Sequence, residues 1–353
     1  MLDLRTLWRL ICGLVIAILG MFGEAETRPE KHGFRSHSGR SIDGVEGRDS
    51  RRRKLVVLPV LAALIGIVGA SNSAHATYPG TNDGRLAFGM IVGGNVDIYT
   101  VLPNGNDLRR LTTDASFDAC PAYSPDGKEI AFCSNRSGAT EIWKMKQNGT
   151  DQQQVTHLNG SVTFPDFSPD GSKIVFGGSA GGSNPDIWVV NSDGSGATRL
   201  TSGPDVDLFP AWSPDGSKIV FIRNGQVWTI NTSGGGATQL TFDPAPKGQV
   251  PDWSPDGGKI AYSSGTGIWV MNANGSDQHP VFADPSTINF GAAWSPAGDQ
   301  IAFVSFPAPP SAANLGARTI YVINADGTGK HAVHPGPGPQ IVPAWQPRGN
   351  RID

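Results

Sequence analysis

The sequence predicts an all-β fold, a six-bladed β-propeller of four-stranded antiparallel blades, and three observations predict it. Ser-Pro-Asp-Gly-type turns begin at Ser124, Ser168, Ser213 and Ser254, with a variant at Ser295 and a decayed copy at Gln346, their starts 44, 45, 41, 41 and 51 residues apart. A repeat of about 40 to 45 residues with several short strands is one propeller blade, a unit that cannot bury its faces alone. Aromatic residues recur in two registers, one just before each turn (Tyr123, Phe167, Trp212, Trp253, Trp294, Trp345) and one on a later strand (Tyr99, Trp143, Trp188, Trp228, Trp269, Tyr321). A ring at one strand position in every repeat is what packing of blade on blade requires. Finally, the two ends of the array are complementary fragments of one repeat.

In the first repeat Asp83-Gly84 leads straight into a strand of the second kind, Leu86 to Phe88, with no strand before it, and the next strand carries Tyr99. Residues 205 to 241 show the complete unit: strand A from Asp207 to Trp212, strand B from Lys218 to Ile222, strand C from Gln226 to Ile230 and strand D from Ala237 to Leu240. Short apolar runs bounded by Gly, Pro, Asn and Asp mark each as a strand. At the far end Ile341 to Trp345 is a strand A with no B after it. Pairing this C-terminal strand with the first blade completes the ring and removes the exposed sheet edges.

Residues 1–76 read as an address rather than as fold. Arg51-Arg52-Arg53-Lys54, the apolar run from Leu55 to Ala70 and the small-x-small Ala74-His75-Ala76 give n-region, h-region and cleavage box in order. Sixteen apolar residues interrupted by Pro59 fall short of the roughly 20 that a span needs. Export with signal cleavage after Ala76, to the periplasm or the extracellular space, is expected, by Sec or, given Arg52-Arg53, by a twin-arginine route. A second apolar stretch, Leu10 to Phe22, lies upstream. Residues 1–44 are read as a mis-set start, with a membrane anchor as the alternative. The mature chain, residues 77–353, is then a single propeller domain with no stable span, expected to be a monomer.

From residue 77 on the chain holds 17 Lys and Arg against 24 Asp and Glu, a net charge near −7. An acidic body without a basic stripe argues against nucleic acid as a partner. Only Glu129 and Glu141 of those acids are Glu. The Asp excess, beside abundant Gly, Pro, Ser and Asn, reflects turn chemistry.

Cys120 and Cys133 flank the first turn. If Tyr123 pairs with Ile130, a strict antiparallel register sets Cys120 opposite Cys133, at a span a disulfide bridges. Export favours the bond. The alternative is two small core residues, because other repeats place Phe164, Phe209 or Val250, and Ile222 or Val304, at the same positions.

The run Pro-Ala-Trp-Ser-Pro-Asp-Gly-Ser-Lys-Ile-Val-Phe from Pro210 to Phe221, and Val-Val-Asn-Ser-Asp-Gly-Ser-Gly-Ala-Thr-Arg-Leu-Thr from Val189 to Thr201, resemble the Pro-Asp, WD-like repeats of the TolB family. The resemblance covers nearly all of residues 78 to 349 and implies a protein partner at the channel mouth. Bacterial TolB carries an α/β domain before its propeller, whereas here the propeller follows the signal almost directly. The resemblance is therefore to the propeller without the TolB N-terminal domain.

In an antiparallel blade the A–B and C–D turns share one face, and the B–C and D–A connections share the other. The first face carries uniform tight turns, and the second carries loops that differ in every repeat. Binding residues concentrate on loops held by a rigid scaffold. The first position of each innermost strand, expected to rim the channel, is held by Asp118, Val162, Asp207, Gly248, Asn289 and Gln340. Asp118, Asp207, Asn289 and Gln340 are the candidate binding residues, two carboxylates and two amides suited to a donor-rich ligand or to calcium or another cation. No cofactor is expected.

Gly177 to Gly181 fits a Gly-x-Ser-x-Gly pattern, but a nucleophile elbow needs a helix after it, and Asp186 to Val190 reads as a strand. His157, His279, His331 and His334 fall away from the rim positions, so no metal centre and no catalytic residue is assigned. The sequence reads as an exported, non-catalytic scaffold that binds an envelope or secreted protein, or another cell-envelope component, through the variable-loop face. The alternative is a secreted propeller enzyme, a polysaccharide lyase or hydrolase with its site at the channel rim.

Overall fold

The computed structural model describes residues 82–180, 184–243, 250–308, 317–333, 336 and 338–348. Outside the described residues lie the expected signal segment and the expected cleavage site after Ala76, residues 1–44, His334 and the rim position Gly248. The first blade holds β1 (Asn82–Val92), β2 (Asn95–Val101) and β3 (Arg109–Arg110); the second, β4 (Asp118–Tyr123), β5 (Glu129–Ser134), β6 (Glu141–Lys146) and β7 (Gln153–Gln154). The third holds β8 (Ser161–Phe167), β9 (Lys173–Ser179), β10 (Asp186–Asn191) and β11 (Thr198–Arg199); the fourth, β12 (Asp207–Trp212), β13 (Lys218–Arg223), β14 (Gln226–Asn231) and β15 (Thr238–Gln239). The fifth holds β16 (Asp252–Trp253), β17 (Lys259–Ser264), β18 (Gly267–Asn272) and β19 (His279–Ala283); the sixth, β20 (Thr287–Trp294), β21 (Gln300–Pro307), β22 (Thr319–Asn324) and β23 (His331–Val333).

The last strand, β24 (Gln340–Arg348), lies beside β1 in the order β24-β1-β2-β3. Leu86 faces Trp345 and Ala87 faces Ala344, so the C-terminal strand supplies the strand A that the first repeat lacks. The closure is pinned by Gln346. Its amide nitrogen donates to Gly127 O at 3.0 Å and to Gln147 Oε1, and its Oε1 accepts from the Arg85 backbone N–H at 3.3 Å. Gly127 has a left-handed φ of 69°, and a Cβ there would collide with the Pro347 carbonyl, so the first turn admits only glycine against the closing strand.

The aromatic residues that end the inner strands pack backward onto the preceding blade. Trp212 is buried among Val175 and Ile187 of the third blade, Trp294 among Ala261 and Ile268 of the fifth, and Tyr123 among Ala87 and Ile98 of the first. Burying side chains of this size stabilises by about 1.5 to 3 kcal/mol each, which no blade gains alone. Within blades, a threonine at the end of strand D locks strand C. Thr112, Thr156, Thr201 and Thr241 each accept, at 2.9 Å, the backbone N–H of Ile98, Ile142, Ile187 and Val227 respectively.

The inner strands are not regular ladders. Cys120, Phe164, Phe209, Val250 and Val342 have φ between 45° and 65°, and each precedes a proline; in the sixth blade Gly291 takes the position with φ 74°. Proline has no N–H for the ladder, and the strand absorbs it as a bulge that adds one residue. This corrects the expected cysteine register. Tyr123 does face Ile130, but Cys133 faces Ala119, because the bulge between Ala119 and Ala122 displaces Cys120. Both are buried thiols, not joined in a disulfide. Cys133 Sγ accepts the Phe164 backbone N–H of the next blade at 3.3 Å, as Ser263 Oγ accepts that of Gly291. Burial, with the neighbouring Cys120 thiol, pushes the Cys133 thiol well up from its ordinary value.

Candidate functional site

Asp118, Asp207 and Gln340 each open an inner strand, and Asn289 is the third residue of β20. All four are buried. Arg136, on the connection from β5 to β6, donates from Nη2 to Asp118 Oδ2 at 2.7 Å. Arg223, at the end of β13, grips Asp207 with Nε to Oδ1 at 2.7 Å and Nη2 to Oδ2 at 2.6 Å. The Asn289 amide donates to Thr266 O and, at 2.9 Å, to Thr287 Oγ1, while Gln340 Oε1 accepts the Ile320 N–H at 2.7 Å. Each side chain therefore ties the head of its inner strand to neighbouring backbone or to the B–C end of its own blade.

The two arginines also lie over rings. The Arg136 guanidinium carbon is 4.9 Å from the Trp143 ring centre and 5.4 Å from that of Phe132; Arg223 is 5.1 Å from Trp228 and 5.2 Å from Phe221. A carboxylate on one side and an aromatic face on the other fix the fork. Burial pushes the Asp118 carboxyl up from the ordinary carboxylate range, and the Arg136 contact and the Ser134 and Thr112 hydroxyls only partly oppose it. Hydrogen bonding to Asp207 raises Arg223 in turn.

The arginines are 14% and 17% exposed at the side chain, against 0% and 1% for Asp118 and Asp207. These blades therefore offer guanidinium donors rather than carboxylate oxygens. Asp118 and Asp207 belong to the second and fourth blades, each held by the arginine of its own blade. Among the described residues no three His, Cys, Asp or Glu side chains are placed to hold a metal ion. Ser179 ends β9, is buried, and is followed by β10 rather than by a helix.

The repeats of this ring match a known family model. The model of the TolB beta propeller domain aligns with residues 62–163 and 149–277. The chain belongs to the TolB beta propeller domain family. A TolB homolog of Chlorobium luteolum is 39% identical over 57 residues, 16% of this chain and 13% of that protein, so the match spans a small part of the relative's length. Among solved structures, TolB from Acinetobacter baumannii superposes with a TM-score of 0.64 at 21% identity, covering 75% of this chain and 67% of that one. A putative TolB from Agrobacterium tumefaciens gives 0.57 at 22% identity, covering 71% and 89%. At such identities these TolB structures speak for the fold alone.

Sequence reasoning missed a second feature of this TolB-type propeller. On the face of uniform turns, between the first and second blades, lies a cavity of 830 Å³ whose lining includes Arg85, Arg109, Arg110, Lys128 and Lys146. The acidic net charge concealed it. The available signal was local: Lys128 follows the first Pro-Asp-Gly where Ser172, Ser217 and Gly258 follow the others.

Proposed function

We propose that this chain is an exported, non-catalytic propeller that binds a protein or another cell-envelope component through its variable-loop face, with residues 77–353 as the mature domain and Asp118, Asp207, Asn289 and Gln340 bracing the mouth. One observation carries the reading: the polar rim residues are committed to fixing the strand heads and loops, which suits a preformed docking surface rather than a set of titrating groups. The loop face also carries Phe242, 75% exposed on the connection between the fourth and fifth blades, where a partner pocket would take it as an anchor. With Arg136 and Arg223 the more exposed members of their pairs, the partner's matching surface is rich in acceptor oxygens. The arginine-led apolar run and Ala74-His75-Ala76 support export. Among the described residues no helix is long and apolar enough to cross a membrane.

The test is a crosslinking capture from envelope extract with the wild-type chain and with a variant carrying Phe242→Asp and Ser137→Arg, two exposed positions on different loops of this face. A defined partner held by the wild type and lost by the variant is expected. Equal capture by both proteins, or none by either, contradicts the reading.

A further inference from the structure

The cavity between the first and second blades is a concentration of positive charge on an acidic body. Five cations line it against two carboxylates, Asp126 and Glu129, whereas the chain from residue 77 on carries 17 basic and 24 acidic residues. The walls face each other by blade: Arg85, Arg109 and Arg110 come from β1 and β3, and Lys128 and Lys146 from the second blade's A–B turn and strand C.

One of the balancing carboxylates is held behind its cation. Arg110 pairs with Asp97 at 2.6 Å, yet its side chain is 44% exposed while that of Asp97 is wholly buried. Asp107 is shared between Arg85 and Arg109. Lys128 meets Asp126 at 3.2 Å and Lys146 meets Asp151 at 2.5 Å, both pairs open to solvent and screened there. At Arg85, Arg109, Lys128 and Lys146 an incoming anion competes with water-exposed partners, and at Arg110 alone the partner is buried.

The repeat supplies an internal standard for what the scaffold itself needs. Strand C ends in asparagine in four blades, at Asn191, Asn231, Asn272 and Asn324, and in the three with a hydroxyl four residues on, in the C–D turn, it donates to that hydroxyl, Ser195 at 2.9 Å, Ser276 at 3.0 Å and Thr328 at 3.1 Å. The second blade replaces this asparagine with Lys146 and gives up that bond. Lys128 likewise departs from the serine or glycine of the other Pro-Asp-Gly turns. Both departures point cations into one interblade cleft.

We infer that this cleft binds an acidic peptide segment, a run of Asp or Glu side chains on a partner protein. Guanidinium forks suit carboxylates, and the Gln147 and Asn148 amides and the Thr100 hydroxyl in the lining suit a peptide backbone. A sugar site would be expected to offer an aromatic face, whereas Leu111 is the one apolar side chain in this lining. The cleft lies on the opposite face from the variable loops, so this inference stands or falls independently of the docking surface proposed above.

The test is fluorescence anisotropy of labelled hexaglutamate with the purified full chain at about 50 mM salt, where surface charge is weakly screened. The site variant carries Arg109→Gln, Lys128→Gln and Lys146→Gln, all at exposed positions. A control variant carries Lys173→Gln, Lys218→Gln and Lys259→Gln, which remove the same charge from the same face at other blades. Wild type and control are expected to bind alike, with the site variant weaker by about tenfold or more. Equal loss in both variants reduces the effect to net charge and overturns the site, as does absence of binding to the wild type. Hexagalacturonate bound as tightly as hexaglutamate overturns the peptide assignment.

Discussion

Arg223 holds Asp207 through two parallel hydrogen bonds, 2.7 and 2.6 Å long, while its guanidinium lies 5.1 Å from the Trp228 ring centre. The pair spans from the first residue of the inner strand to the last of its neighbour, so it fixes where the fourth blade meets the channel.

Asp207→Ala removes the acceptor and leaves a mostly buried guanidinium against two rings. Breaking one member of such a pair is expected to cost about 3 kcal/mol, most of it the uncompensated charge. Replacing both, with Asp207→Ala and Arg223→Met, should recover part of that loss because the methionine keeps the stem packed on Phe221 and Trp228. Urea unfolding of the three proteins measures this; a double variant less stable than the single one contradicts the account.

Closure predicts the effect of a truncation. Deleting residues 341 to 353 removes most of β24, takes Trp345 from the core and exposes the long edge of β1. Loss of a buried tryptophan alone costs about 3 to 5 kcal/mol, and an open apolar edge invites pairing between chains. A lower melting temperature and concentration-dependent association in sedimentation are expected. A truncated chain that stays monomeric and melts like the intact one contradicts closure by this strand.

The fold was legible because the repeat is written in turn chemistry: each Ser-Pro-Asp-Gly run fixes a hairpin, and the aromatic before it fixes which blade it packs on. The Cys120 register was not, because strict alternation was carried through a strand that contains Pro121. The proline before the aromatic in five of the six inner strands was the readable sign of a bulge. The rim residues were legible as types, but their partners were not. Arg136 and Arg223 lie on connections and strand ends whose reach back to Asp118 and Asp207 depends on the folded blade. The basic cleft was the least legible, since its walls come from residues 85 to 111 and 126 to 148 and meet only when two blades stack.

The turns also set an acid limit. Asp170 and Asp256 sit below the ordinary carboxylate range, chiefly through the Ser168 and Ser254 hydroxyls, with backbone N–H groups of Ser172 and Gly258 adding to it. For Asp126 and Asp215 burial pushes upward, and the serine hydroxyl and backbone bonds outweigh it to leave both lowered. A depressed carboxylate stabilises the fold above its unfolded value, about 3.9, and that stability is lost as pH falls through the folded value. Asp118 and Asp186, raised chiefly by burial, act in the opposite sense, and their cost is relieved as pH falls. The four turns predict a net loss of stability below about pH 4. Asp170→Asn should be less stable than the parent at neutral pH and lose less on acidification. Denaturant midpoints against pH measure it, and an acid limb as steep as the parent's contradicts the role given to this turn.

Coupling between blades yields the last prediction. Asp166, near the end of β8, accepts the backbone N–H of Trp212 in the next blade at 2.8 Å, and Asp252 does the same for Trp294 at 2.7 Å. Both carboxylates are buried, and the corresponding positions in the other four blades are Ala122, Ala211, Ala293 and Ala344. The bond reaches the residue whose ring seals the same interface, so it sets the depth at which Trp212 packs on Val175 and Ile187. Asp166→Ala leaves a buried N–H without this acceptor and opens space beside it, a loss of about 1 to 3 kcal/mol. Asp166→Asn keeps an oxygen at nearly the same place and should cost clearly less. Amide exchange at Trp212 separates a local from a global effect, because the alanine variant is expected to lose protection there first. If alanine and asparagine destabilise equally and Trp212 keeps its protection in both, the carboxylate does not couple the blades.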